Sequence, residues 1–160
     1  MYKIIELEET DIHRIKNLLN ICWIETYTGI LSDGIMKKFA SKWLRMNTIM
    51  RSLQNKETFF AGCKYSNRLV GAITAELSRD IIHVHRLYIL PSYQKKGIGS
   101  KLLKAAINHF KSAKALELEV LEVNNNAIEF YKKKGFVVSK KKEIKIGDEK
   151  LKSFVLELVL

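Results

Sequence analysis

The stretch that most constrains this chain runs from Leu87 to Phe110, where an apolar run, a two-glycine turn and an amphipathic helix follow without a break. Leu87 to Leu90 has strand character and stops at Pro91, the sole proline. Proline has no amide hydrogen and ends a ladder. Gln94-Lys95-Lys96-Gly97-Ile98-Gly99 follows, and from Ile98 the apolar positions Leu102, Leu103, Ala106, Ile107 and Phe110 recur with helical period. A strand that feeds a glycine turn into a helix N-terminus makes an anion cradle. The first-turn amides are unpaired, the helix dipole favours negative charge, and glycine allows close approach of a phosphate. Lys95 and Lys96 add full charges to that partial one.

Size and composition narrow what such a cradle can serve. The 160 residues form one expected domain, 1–160, and the 47% apolar content is enough for a real core. No apolar run approaches the roughly 18–20 residues of a membrane span, so no membrane partner is expected. The start, Met1-Tyr2-Lys3-Ile4-Ile5-Glu6, has no signal-peptide core. Cys22 and Cys63 sit in apolar or strand-like settings without metal-type spacing, which reads as reduced core thiols and a cytoplasmic protein with no metal. Of the net charge of +11, about half lies between Lys132 and Lys152, where nine lysines face Glu143, Asp148 and Glu149. That charge attracts polyanions, but no aromatic platform or zinc-finger spacing accompanies it. A lysine-rich solvated surface is the plainer reading, and nucleic acid is not the expected partner.

In chain order, Lys3–Glu8 reads as a strand, and Thr10 as the cap of a helix carrying Ile12, Ile15, Leu19, Cys22 and Trp23 on one face. A second helix starts at Ser32, with Ile35, Phe39 and Trp43 at spacing four, and a further helical piece spans Asn47–Gln54. Thr58–Tyr65, Leu69–Leu77 and Ile81–Leu90 read as strands joined by short turns. Leu116–Val123 alternates like a strand, and Asn124-Asn125-Asn126 caps a short helix that stops at Gly135. Phe136–Ser139, Lys142–Ile146 and Lys152–Val159 supply the final strands. The order predicts one mixed α/β domain.

Gly97-Ile98-Gly99 fails as a dinucleotide fingerprint, because Leu102 stands where a third glycine belongs and no early strand precedes it. Gly99-Ser100-Lys101 is not the order of a nucleotide-hydrolase loop either. Two glycines before a helix also serve as a plain tight connection. What is rarer is the conjunction with a second block some 25 residues on: Asn124, Ala127, Phe130, Tyr131, Gly135 and Phe136. With both blocks and the element order, the chain resembles the GNAT superfamily of acyl-CoA-dependent N-acetyltransferases over essentially its whole length. The resemblance implies a mixed, splayed central sheet of about seven strands with four to five helices on both faces, and acetyl-CoA in the splay, leaving as coenzyme A. It implies that Leu87, Tyr88 and Ile89 line the pantetheine arm, and that Gln94, Lys95, Lys96, Gly97, Ile98, Gly99 and Ser100 hold the pyrophosphate. Asn124 would bind the cofactor arm, and Tyr131 would lie near its sulfur.

The chemistry fits these residue types. A free alkylammonium titrates near pH 10, so a base must take its proton, and a donor must meet the departing thiolate. Tyr131 is the candidate donor; its bland reading is a packed aromatic. Glu119 stands where ribosomal-protein N-terminal acetyltransferases of the superfamily carry a base, though it also suits a solvent-facing strand position. His85 stands where some polyamine acetyltransferases carry a glutamate, and is equally a sheet histidine. Trp23-Ile24-Glu25-Thr26-Tyr27-Thr28-Gly29 resembles the Trp-x-x-Thr-Tyr-x-Gly segment of PaiA-like polyamine acetyltransferases, which makes Trp23, Thr26 and Tyr27 the acceptor-binding candidates. Trp23 and Tyr27, four apart, also read as a buried helix stripe. Glu25 and Asp33 are acids available near that segment.

Three functions follow: acetylation of a small amine with a polyamine favoured, acetylation of a protein N-terminus or lysine, and a CoA- or anion-binding module without turnover. A peptide needs an open groove, whereas a small amine tolerates a closed pocket. Many members of the superfamily pair as homodimers, and no exposed stripe in the sequence marks a pairing surface.

Overall fold

The computed structural model describes all 160 residues, and a single seven-stranded mixed sheet carries the chain. Strand β1 (Tyr2–Glu6) is followed by three helices, α1 (Ile12–Tyr27), α2 (Asp33–Trp43) and α3 (Met46–Gln54). Strands β2 (Thr58–Tyr65), β3 (Arg68–Ser78) and β4 (Ile81–Ile89) form an antiparallel meander. Helix α4 (Ile98–His109) crosses over to β5 (Ala115–Leu121), which lies parallel to β4. Helix α5 (Asn125–Lys133) leads to the hairpin β6 (Val137–Ile146) and β7 (Glu149–Val159). The spatial order is β1-β2-β3-β4-β5-β7-β6. The crossover needs a helix because parallel neighbours cannot be joined by a tight turn.

Local chemistry explains most boundaries. The Ser32 hydroxyl accepts from the Ile35 amide and starts α2, and the Asn124 side chain accepts from the Ala127 amide and starts α5, as their residue types predict. Two expectations are corrected. Helix α1 is not capped by Thr10: a 3-10 turn, Glu9–Asp11, precedes it, held by reciprocal capping between Glu8 and Asp11. The final strands Phe136–Ser139 and Lys142–Ile146 are one continuous strand, Val137–Ile146, with a bulge at Ser139 where the register against β7 shifts by one residue. The apolar stripes bury as expected. Helix α4 covers β1 to β4 on one face, while α1 covers β3 and β4 on the other. Ile15, Leu19, Ile73, Ile82, Leu102, Leu116 and Leu156 are fully buried between them. Both cysteines are free and buried, and burial together with nearby Glu25 pushes the Cys22 thiol up to about 12. No helix is long and apolar enough to cross a membrane.

Candidate active site

The site originates in a fault in the sheet. Strands β4 and β5 pair only from Ile81 opposite Ala115 to Val84 opposite Leu118. At that point His85 is the extra residue of a β-bulge, since Ala75 faces Val84 and Thr74 faces Arg86. A bulge bends and twists the strand that carries it. Beyond it β4 keeps only β3 as a neighbour, and β5 keeps only β7. The wedge between them opens into a cleft of about 330 Å³, lined from six elements, α1, α2, β4, β5, α5 and β6, and by Asn124 just before α5.

The roof of the cleft is aromatic. Trp23 stacks on Phe39 at 4.1 Å between ring centroids, Phe39 meets Trp43 at 4.2 Å, and Tyr27 meets Trp23 at 4.4 Å. Such pairs contribute about 0.5–1.5 kcal/mol each beyond their burial, so they fix the roof as well as line it. The Trp23 indole also donates to the Met36 carbonyl, 3.3 Å away, which ties α1 to α2. Arg86 reaches up from β4 and donates to the Trp43 carbonyl at 3.2 Å and to the Ser52 hydroxyl at 3.4 Å. It thus places its charge against the C-terminal carbonyls of α2, where the helix dipole is negative. Burial holds its guanidinium below the usual range. On the far side Ile144 of β6 lines the cleft, and the β6–β7 hairpin lies against α2, with Ile146 buried near its tip.

On the floor three phenols lie close enough to affect one another's ionisation: Tyr27 of α1, Tyr88 of β4 and Tyr131 of α5. Burial raises all three above the ordinary phenol value, and the neighbouring phenols push Tyr88 and Tyr131 further. The Asn124 amide donates to the Tyr27 hydroxyl at 3.2 Å, a bond that favours the phenolate and partly opposes the rise at Tyr27. Glu119 extends from β5 into the cleft, where its Oε1 accepts from the buried Ser153 hydroxyl at 2.5 Å. On the opposite side His85 Nε2 lies 3.5 Å from Glu76, whose other oxygen accepts from Thr58 at 2.6 Å. The Thr58 bond is the largest of the influences holding Glu76 below its usual carboxylate range.

The glycine turn lies at the other end of β4, after a 3-10 turn at Pro91–Tyr93. Lys95 and Gly97 both adopt left-handed backbone, φ +60° and +79°. None of the amides from Lys95 to Ser100 donates to an acceptor within the chain, and Lys101 is the first to do so, to the Gly97 carbonyl at 3.1 Å. Ile98 and Gly99 are nevertheless buried. Unpaired amides at a helix N-terminus, with Lys95 and Lys96 beside them, suit an anionic group such as a pyrophosphate. The two glycines serve different needs. A Cβ on Gly97 would meet open space, so glycine is required there for its backbone angle. A Cβ on Gly99 would stand 2.9 Å from the Phe130 ring and 3.2 Å from Ile89, so that glycine is required for packing α4 against α5 and β4.

Of the residues singled out from the sequence, the cleft brings together Trp23, Tyr27, His85, Leu87, Tyr88, Glu119, Asn124 and Tyr131. Thr26, Glu25 and Asp33 do not line it. Ile89 and the Gln94–Ser100 turn lie outside it, and the Ile89 carbonyl accepts from the Gln94 side chain at 3.1 Å. Sequence reasoning missed Phe39, Trp43, Arg86 and Ile144 as cleft residues. The Ile35–Phe39–Trp43 spacing was a visible signal, but it reads equally as a core stripe; for Arg86 and Ile144 no local signal exists.

The sheet is thus splayed at the β4 bulge, with a turn of free amides at one end of β4 and Tyr131 beside the wedge. The chain belongs to the acetyltransferase (GNAT) family, whose model matches residues 12–136. It is an acyltransferase with acetyl-CoA as donor. Among its relatives, the spermidine N(1)-acetyltransferase of Thermoplasma acidophilum is 31% identical over 84% of this chain and 89% of that one. N-alpha-acetyltransferase 60 of Xenopus tropicalis is 28% identical over 71% of this chain and 55% of that protein. The crystal structure of PaiA N-acetyltransferase from Thermoplasma acidophilum in complex with coenzyme A superposes with a TM-score of 0.85, covering 100% of this chain and 99% of that one. At 23% identity this is a likeness of fold.

Proposed function

We propose that this chain acetylates a primary amine of a small polyamine of the spermidine type, by direct attack of the amine on the thioester. The observation that carries the reading is the small aromatic cleft. Its 330 Å³, lined by Trp23, Tyr27, Phe39 and Trp43 with Glu119 on the opposite wall, suits a slender alkylamine better than a peptide backbone. Aromatic faces attract alkylammonium groups, and Glu119 supplies a carboxylate inside the same cleft. The spermidine N(1)-acetyltransferase relative supports the same acceptor class. Arg86 opposes a cation less than its formal charge suggests, because its guanidinium is spent on the α2 terminus and Ser52.

In this reading the amides from Lys95 to Ser100 and the two lysines hold the pyrophosphate, and the unpaired edge of β4 from Leu87 to Ile89 holds the pantetheine arm. Glu119, oriented by Ser153, takes the acceptor's proton directly or through water. His85, backed by Glu76, is the alternative base. Tyr131 faces the sulfur. Its phenol is raised well above an ordinary thiol, so full proton transfer to a thiolate is uphill. Tyr131 therefore acts as a hydrogen-bond donor that strengthens as charge develops on sulfur in a water-poor site. The two reduced, buried thiols accord with a cytoplasmic setting.

The test is thiol release from acetyl-CoA with spermidine, spermine, free amino acids and N-terminal peptides as acceptors. The polyamine reading expects kcat/KM for spermidine at least about tenfold above any peptide, a difference near 1.4 kcal/mol in transition-state binding. A peptide turned over faster than every polyamine would replace it with protein acetylation.

A further inference from the structure

The basic hairpin holds one lysine unlike the rest. On β6, Lys140, Lys142 and Ile144 alternate onto one face of the strand, and Ile144 lines the cleft. Lys142 stands opposite Ser153, the residue whose hydroxyl orients Glu119. Its Nζ lies 4.0 Å from Glu119 Oε2, so the two oxygens of Glu119 are divided between a hydroxyl on one side and an ammonium on the other. Lys150 on the same hairpin pairs with Glu143, away from the cleft, and Lys141 lies over the Phe154 ring. Lys142 is the lysine of this run that pairs with a carboxylate of the cleft.

An ammonium at that place has the relation to Glu119 that an acceptor must have in order to lose its proton. We propose that Lys142 is an internal acetyl acceptor, acetylated by its own chain when no amine substrate is bound. The inference rests on Glu119 and Tyr131 forming the transfer pair. Glu119 takes one proton from the Lys142 ammonium, and the freed Nζ lone pair attacks the thioester carbonyl. The new C–N bond forms as the C–S bond breaks. Coenzyme A leaves as a thiolate stabilised by Tyr131, and the second Nζ proton ends on the sulfur. Lysine and acetyl-CoA thus become acetyl-lysine and free coenzyme A, with the proton on Glu119 released to solvent. The flexible four-carbon stem lets Nζ leave the pair and swing inward, since the side chain is half exposed. Acetylation removes the one positive charge that competes with a cationic acceptor for Glu119, so the acetylated chain binds polyamine more tightly.

The full chain is incubated with acetyl-CoA alone, and acetyl groups are mapped by peptide mass spectrometry, with Lys140 and Lys114 as exposed internal references. Lys142 is expected to be labelled about tenfold or more faster than either reference, and that excess is expected to vanish in Glu119→Gln and Tyr131→Phe. The KM for spermidine is expected to fall about threefold or more in Lys142→Gln but not in Lys142→Arg, and in preacetylated wild type to match Lys142→Gln. Equal labelling of all exposed lysines, or labelling that survives both active-site substitutions, overturns the proposal as mere chemical acetylation. Turnover of spermidine with Lys142 unlabelled overturns it while the proposed function stands. Neither turnover of any amine nor labelling at Lys142 overturns both.

Discussion

The glycine turn proposed to hold the cofactor and the cleft proposed to take the acceptor both adjoin β4 but are built from different material. The turn is main chain from one short segment, in which consecutive free amides between Lys95 and Ser100 face a helix N-terminus. The cleft is side chain from distant segments: Trp23 on α1, Phe39 and Trp43 on α2, Arg86 on β4, Glu119 on β5, Tyr131 on α5 and Ile144 on β6. A main-chain site tolerates change in the residues that carry it, provided the backbone angles at Lys95 and Gly97 survive. A side-chain site changes acceptor with each substitution on its walls. One sheet can therefore keep its donor while its acceptors diversify.

The sharpest way to break that contrast is Tyr131→Phe, which touches the wall and not the turn. It is expected to lower kcat by ~10²–10⁴ with the KM for acetyl-CoA nearly unchanged, as seen in steady-state kinetics with both substrates varied. Full turnover would return Tyr131 to being a packed aromatic. Next is Gly99→Val, where the added side chain meets Phe130 at 2.9 Å and Ile89 at 3.2 Å. Overpacking of this kind costs about 1–3 kcal/mol, so thermal denaturation should show a lower Tm together with a raised acetyl-CoA KM. A raised KM with an unmoved Tm would mean that Gly99 serves the ligand alone.

A smaller effect is expected from Trp43→Ala at the partly exposed end of the aromatic ladder. Loss of one cation–π face should raise the spermidine KM by about three- to thirtyfold, equivalent to about 0.5–2 kcal/mol, and leave the acetyl-CoA KM alone. An equal rise in both constants would merge the two sites. The mildest effect is alkaline. The fold holds Tyr27, Tyr88 and Tyr131 in the neutral form, while the unfolded chain ionises them near pH 10. Their contribution to stability is complete below about pH 10 and is lost as pH rises above it. Phenolate absorbance should show that of the six tyrosines these three titrate only as the structure melts. Ordinary titration of all six in the native protein would remove the burial argument.

Legibility from the residues follows the same division. The strand, turn and helix from Leu87 to Phe110, and the caps at Ser32 and Asn124, depend on groups within a few positions of one another. Their chemistry is local, so the residue order carries it. The 3-10 entry to α1 was missed because Glu8 and Asp11 form a reciprocal cap without the usual hydroxyl signature. The roles of Phe39 and Trp43 were missed because a stripe at spacing four looks the same whether its last member meets core or cleft, and Arg86 carries no local signal.

What the sequence alone determined is the local architecture of the proposed donor side: a strand-turn-helix segment followed by an Asn124–Phe136 block, each contiguous in the chain. What only the tertiary structure decided is the cleft proposed for the acceptor. The bulge at His85 parts β4 from β5, the Arg86 guanidinium pins the roof to the sheet, and the β6–β7 hairpin lies against α2. It also decided why Gly99 is glycine and which of nine lysines stands beside Glu119. Each of these is a distance between residues far apart in the chain, set by how a twisted sheet and its covering helices pack, and no short-range pattern encodes it.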